Sequence, residues 1–262
     1  MHRLPLGWSR AVSMLLAVVI AAGIASSATA QDVKKLDVKK AAKKLAVKAA
    51  KKTDEASDFV LPPREGKSET IKLFNGKDLT GWTGNDKLWS VKDGAIVGHN
   101  TEPVPVSTYL MTDRKFTDFR LLATVKLGEL SEMHSGIAMW GRNAPEHGDK
   151  YTFAGHLVMF PSSWGFYDLF GRNGLPVDGK PAIKVGKQHD WNELEILARG
   201  NRIQLAANGV KVADWTDPSP KAMYEGPIGL QLHSNKMPQD VYFKDLVLTT
   251  FPTDELTTVE KK

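Results

Sequence analysis

Histidines, a glutamine and a ring-rich segment carry the chemistry most legible in this sequence. Along Pro227-Ile228-Gly229-Leu230-Gln231-Leu232-His233 the residues alternate. On an extended strand Ile228, Leu230 and Leu232 face one side, and Gly229, Gln231 and His233 the other. Gln231 and His233 then either line a cleft, with Gly229 leaving room for a ligand near the backbone, or meet solvent as a polar face with a structural histidine. Glu132-Met133-His134 opens another strand, and with His99, His156 and His233 it supplies imidazoles able to act as bases or metal ligands near neutral pH. No two of them have the close spacing of HxH or HExxH. A divalent metal is therefore an open cofactor assignment, with isolated hydrogen-bonded histidines as the alternative.

The stretch Phe153 to Asn173 sets Phe160, Trp164, Phe166, Tyr167 and Phe170 among His156, Asp168, Arg172 and Asn173. Rings stack on the apolar C–H faces of sugars while Asp, Arg and Asn fix hydroxyls, so the composition suits a carbohydrate cleft; it also suits a core strand followed by an aromatic loop. Other chemistries drop out. Without cysteine there is no disulfide framework, thiolate metal site or cysteine nucleophile. A GxSxG elbow, a phosphate-cradling glycine loop and a dinucleotide fingerprint are also missing from the sequence.

The elements that must position these groups read as one large β domain. The 262 residues are 42% apolar and 25% charged, ordinary for a globular chain. From about Thr70 onward, short apolar alternations separated by Gly, Asn and Asp predict an all-β, two-sheet antiparallel sandwich of about a dozen strands, with no second domain. Phe119 to Leu127 alternates most clearly, with Phe119, Leu121, Ala123, Val125 and Leu127 on one face. His134 to Trp140, His156 to Phe160, Leu194 to Leu197, Arg202 to Ala206, Ile228 to His233 and Val241 to Leu248 read as further strands. Arg199-Gly200-Asn201 and Asn208-Gly209 read as hairpin turns requiring positive φ.

Charge is concentrated ahead of that domain. The chain carries +5, yet residues 31–55 alone hold nine lysines against four acids, and residues 1–30 add Arg3 and Arg10 with no acid. Residues 56–262 are left mildly acidic, so no nucleic-acid partner is implied. Residues 1–30 read as a secretory signal peptide: Arg3 and Arg10, an apolar run from Ala11, then Ala28-Thr29-Ala30, with cleavage after Ala30. That run is shorter than the roughly 20 residues of a membrane span, and no later segment is apolar enough to cross. Secreted or periplasmic export from a bacterium is the expected location. Residues 31–67 read as a Lys/Ala-rich arm and linker, either solvated or touching anionic envelope polymers. The domain proper is placed at 68–251, with a tail at 252–262.

The ordered segments LFNGKDLTGW (73–82), LWSVKDGAIVG (88–98), HSGIAMW (134–140) and GPIGLQLHS (226–234), closed by VYFKDLVL (241–248), resemble the 3-keto-disaccharide hydrolase family over about residues 70–250. The resemblance implies a concanavalin A-like jelly roll and an exported enzyme acting on 3-keto-glycosides. Its activity would be removal of the C2 hydrogen by a base, elimination at C1, and return of water. By motif it implies Gln231 and His233 in the site, with His134 and His156 as further candidate bases or metal ligands. Trp140, Arg142, Trp164, Tyr167, Asp168 and Arg172 are the expected contacts to a carbohydrate substrate. Two positions depart from the family pattern. Gly155-His156-Leu157 replaces a Gly-x-Glu, and Trp140 stands where the family often has arginine, with Arg142 nearby. A non-catalytic carbohydrate-binding sandwich of the cell envelope is the alternative these departures favour.

Overall fold

The computed structural model describes residues 59–259 apart from 133, 162–165, 169–172 and 175–176, and only the backbone of 166–168 and 173–174. The segment expected to be a signal peptide and residues 31–58 of the expected arm and linker therefore lie outside the described residues. The first strands are β1 Thr70–Lys72, β2 Trp82–Thr83, β3 Trp89–Lys92, β4 Ala95–Asn100, β5 Thr108–Thr112, β6 Phe119–Leu127, β7 Ser135–Asn143 and β8 Phe153–Phe160. They continue as β9 Phe166–Asp168, β10 Asn173–Gly174, β11 Asn192–Arg199, β12 Arg202–Ala207, β13 Val210–Thr216, β14 Gly229–Leu232 and β15 Gln239–Thr250, with a short helix α1 at Lys180–Val185. An eight-stranded sheet runs β13-β12-β11-β6-β15-β4-β3, with β1 also on β15. A seven-stranded sheet runs β10-β9-β8-β7-β14-β5-β2. This is the antiparallel sandwich that the alternation predicts. Among the described residues no helix is long and apolar enough to cross a membrane.

The strand predicted from Phe119 to Leu127 is β6 with those bounds; the five residues of its predicted apolar face are buried, while the four between them, Leu122 included, are half-buried. One face meets the inter-sheet core and the other carries Arg120, Thr124 and Lys126. Each large side chain buried there contributes about 1.5–3 kcal/mol. Hairpins set the register of its neighbours. Arg199 pairs with Arg202 and Ala207 with Val210, leaving two-residue loops in which Gly200 (φ 58°), Asn208 (φ 49°) and Gly209 (φ 79°) take the left-handed conformations foreseen for them.

The seven-stranded sheet is apolar on both faces. Ile137, Val158, Phe160 and Leu230 face the core between the sheets. Tyr109, Met111, Ala138, Phe153, Leu157 and Met159 form a separate buried cluster on the outer face. Such a face needs cover, and the segment between β7 and β8 supplies part of it. It begins with a 3₁₀ turn, Pro145–His147, and then binds β5: the Tyr109 N–H donates to the Tyr151 carbonyl (2.9 Å) and Thr108 Oγ1 to Asp149 Oδ1 (3.1 Å). Small residues hollow the face between. A Cβ on Gly229 would stand 3.2 Å from the Phe153 ring, so the bare glycine lets Phe153 reach across to Tyr109, with ring centroids 5.6 Å apart.

Candidate active site

A cavity of about 460 Å³ opens on this outer face. Phe153, Leu157 and Met159 of β8 give it an apolar wall; Tyr109, Gln231, His134, His147 and His233 bring polar groups. β14 delivers Gln231 by parity, Leu230 and Leu232 being turned into the core. Gln231 is 3% exposed; its Nε2 donates to the Tyr109 hydroxyl (2.9 Å), and its Oε1 has no hydrogen-bond partner. Burial pushes the Tyr109 phenol up, so it stays protonated. Because its oxygen already accepts from Gln231, its proton is available to an oxygen in the cavity.

His233 follows the last residue of β14, and His134 precedes the first of β7. Their rings meet edge to face, centroids 4.5 Å apart at 68°. His233 Nδ1 donates to the Ser234 carbonyl (2.6 Å), which fixes the tautomer and leaves Nε2 as the lone-pair nitrogen. Burial lowers the His233 pKa, partly offset by that hydrogen bond. For His134, burial first and the charge of His233 second lower it to about 4. Both rings are thus neutral at pH 7, a state in which either can accept a proton.

This depression has a stability consequence. In the unfolded chain His134 protonates near 6.5, whereas in the fold it resists protonation until about 4. Between those values the unfolded state binds more protons, so stability declines as pH falls through the window and levels below it. Urea midpoints at pH 7.5 and 5 should show a smaller acid loss for His134→Gln than for the wild type. An identical loss in both would show that His134 is not the source.

The other expected site residues are distributed differently. His156 faces the inter-sheet core: its side chain is 0% exposed, and its Nε2 lies 2.7 Å from Asp217 Oδ2, also 0% exposed. Alternation along β8 turns Leu157, not His156, toward the cavity. His156 therefore cannot stand in for the family carboxylate. Trp140, expected as a stacking surface, is fully buried, because β7 carries a bulge between Met139 and Arg142 and Trp140 takes φ 45° there. Its Nε1 donates to the Thr117 carbonyl (2.6 Å). Arg142 lies past the bulge, half exposed, and hydrogen-bonds to Glu146 on the surface rather than lining the cavity. His99 lines a different cavity. Trp164 and Arg172 lie outside the described residues; Tyr167 and Asp168 lie on β9, whose side chains are likewise outside them.

Tyr109 and His147 are the site residues that sequence reasoning missed. β5 is buried throughout, so it offers no polar alternation to mark Tyr109, and His147 sits in a turn with no period at all. Among the described residues no group of three or more His, Asp or Glu is arranged to hold a metal. His134 and His233 offer two imidazoles, short of the three protein donors usual in a catalytic zinc site.

A crystal structure of a candidate glycosyl hydrolase from Parabacteroides distasonis superposes with a TM-score of 0.53 at 22% identity, covering 70% of this chain and 94% of its own. A second from the same organism gives 0.51 at 19%, covering 70% and 100%. At these identities they establish the shared fold. No sequence among curated proteins matches. The profile of the 3-keto-alpha-glucoside-1,2-lyase-like domain matches residues 69–249, and by that match over more than half its length the chain belongs to this family.

Proposed function

We propose that the protein cleaves glycosides already oxidised to a ketone at C3, by deprotonation at C2 and elimination at C1. The observation that carries this reading is the chemistry of the cavity wall. Its titratable side chains among the described residues are the imidazoles of His134, His147 and His233 and the phenol of Tyr109. Direct glycoside hydrolysis uses two carboxylates flanking the bond. Ketone-assisted elimination needs one base of moderate strength and a donor for the enolate oxygen, which imidazole and phenol supply.

The C3 carbonyl acidifies the C2 hydrogen. His233 Nε2 takes that proton, the C–H electron pair becomes the enolate, and Tyr109 donates a hydrogen bond to the enolate oxygen. Collapse of the enolate breaks the C1–O bond, and the departing oxygen takes the proton from the imidazolium. Water then adds at C1 of the enone while C2 regains a proton, so the net change is hydrolysis. His134, the less basic ring, holds a substrate hydroxyl beside the base. Trp164, Tyr167, Asp168 and Arg172 are proposed sugar contacts from β9 and its neighbouring sequence. Export after cleavage at Ala30, with the domain at 68–251 behind its lysine arm, completes the reading.

The test is release of the phenol from an aryl 3-keto-glucoside by the purified protein, with and without chelator or added divalent metal. Release supports the reaction; no release under any of these conditions ends it. One observation favours a second reading. Leu157 occupies the position of the family's carboxylate and lines the cavity. Saturable sugar binding without turnover would identify a binding module instead.

A further inference from the structure

We infer that Gln239, which does not line the cavity, is the positioning residue that holds His233 as its base; the inference rests on the function proposed above. The strand carries the histidine only so far. β14 pairs with β5 as far as Leu232 and Thr108, so His233 is the first residue beyond the ladder and must be held by other means. Two successive peptide groups orient its ring. The first joins His233 to Ser234: its carbonyl accepts from Gln239 Nε2, and its N–H donates to Ser107 Oγ (3.0 Å). The second joins Ser234 to Asn235: its N–H donates to the Val104 carbonyl (2.9 Å), and its carbonyl is the one that takes His233 Nδ1 (2.6 Å). A peptide group is planar, so tying both of its ends fixes the soft dihedrals on either side. With both planes tied, the acceptor for Nδ1 stays in place and Nε2 keeps the lone pair. Releasing the first plane lets that acceptor swing off the ring, after which either nitrogen can hold the proton.

Gln239 makes this tie from the opposite sheet. It opens β15 of the eight-stranded sheet, is 3% exposed, and pairs in register with Asn100 at the end of β4. Asn100, also 3% exposed, gives Nδ2 to the carbonyls of Glu102 (2.8 Å) and Met237 (3.3 Å), which braces the far end of the same loop. The next residue of β15 serves the other imidazole. The Asp240 carbonyl accepts from Ser131 Oγ (2.6 Å) and from the Gly128 N–H (3.0 Å), both in the loop that leads into His134. The start of β15 thus anchors both loops whose ends set the two rings edge to face. A reacting group must be held to within about 0.5 Å of its productive place, and supporting hydrogen bonds of this kind supply that precision.

The test is Gln239→Met, which keeps an unbranched side chain of similar length and removes the donor. NMR of protein labelled at its histidine nitrogens reads the tautomer, the His233 signals being identified by their loss in His233→Ala. The wild type is expected to show the Nδ1–H form alone, and the variant a mixture of the two tautomers. With an aryl 3-keto-glucoside, kcat is expected to fall about 10-fold to 10²-fold while KM stays within about twofold, the split that a misplaced base gives when sugar contacts are intact. Should Gln239→Met not fold, Gln239→Asn, which keeps the amide but falls a methylene short of the carbonyl, is measured in the same way. An unchanged His233 tautomer in the folded variant overturns the inference, whatever the rate does. If the wild type turns over no 3-keto-glucoside the reaction falls, and the tautomer comparison still decides whether Gln239 sets the ring.

Discussion

His233→Ala is expected to lower kcat/KM for an aryl 3-keto-glucoside by about 10²–10⁴-fold, the range that a positioned general base contributes. His233 alone combines three properties the base must have. Its ring lines the cavity, its Nδ1 is committed to the Ser234 carbonyl so that Nε2 carries the lone pair, and burial keeps it neutral at pH 7. The loss should fall mainly on kcat, and added imidazole should restore part of it, which a merely structural role would not allow. The wild-type rate should hold from neutral pH downward past the ordinary histidine value of 6.5, then fall as Nε2 protonates. Near wild-type turnover by the folded variant would remove His233 from the mechanism and leave the imidazole reading without its base.

His156→Ala is expected to act on stability instead, by about 3–5 kcal/mol, which for a domain of this size is a drop in Tm on the order of 10 °C. The imidazole packs against Trp140 and Tyr224, with ring centroids 5.7 Å and 6.0 Å away. Asp217 uses its other oxygen to accept the Ser219 N–H (2.9 Å), which ties the pair to the loop after β13. Truncation therefore removes an imidazole partner from a buried carboxylate and opens a void among rings. Urea denaturation of the single variants and of a His156→Ala/Asp217→Ala double variant should show strong non-additivity, since each single change breaks the same pair. At a temperature where the variant is folded, cleavage should persist. A variant of unchanged stability that has lost turnover would place His156 in the chemistry after all.

The two histidines show where sequence reasoning stops. Alternation in β14 sorted Gln231 from Leu230 and Leu232, and one apolar set there was plainly the core. In β8 the same alternation separates His156 from Leu157, but every residue of that strand is buried, so period two does not reveal which set faces the other sheet. Trp140 was misplaced for a related reason. The bulge at Met139–Arg142 shifts parity by inserting a residue, and a bulge follows from close backbone packing rather than from local pattern. Gly226 sits so near Gly141 that a Cβ on it would lie 2.1 Å from the Gly141 carbonyl oxygen.

The sequence by itself determined the β-sandwich, the bounds of β6, the two tight hairpins, the placement of the excess charge ahead of the domain and the family. Each of these depends on residues near one another in the chain: period-two burial, positive φ at Gly and Asn, and ordered motifs. Only the tertiary structure brought His134 against His233, laid Tyr109 beside Gln231, and sent His156 into the core. Those are contacts between strands and loops distant in sequence, set by which sheet face is covered and by where a strand bulges, and no local spacing encodes either.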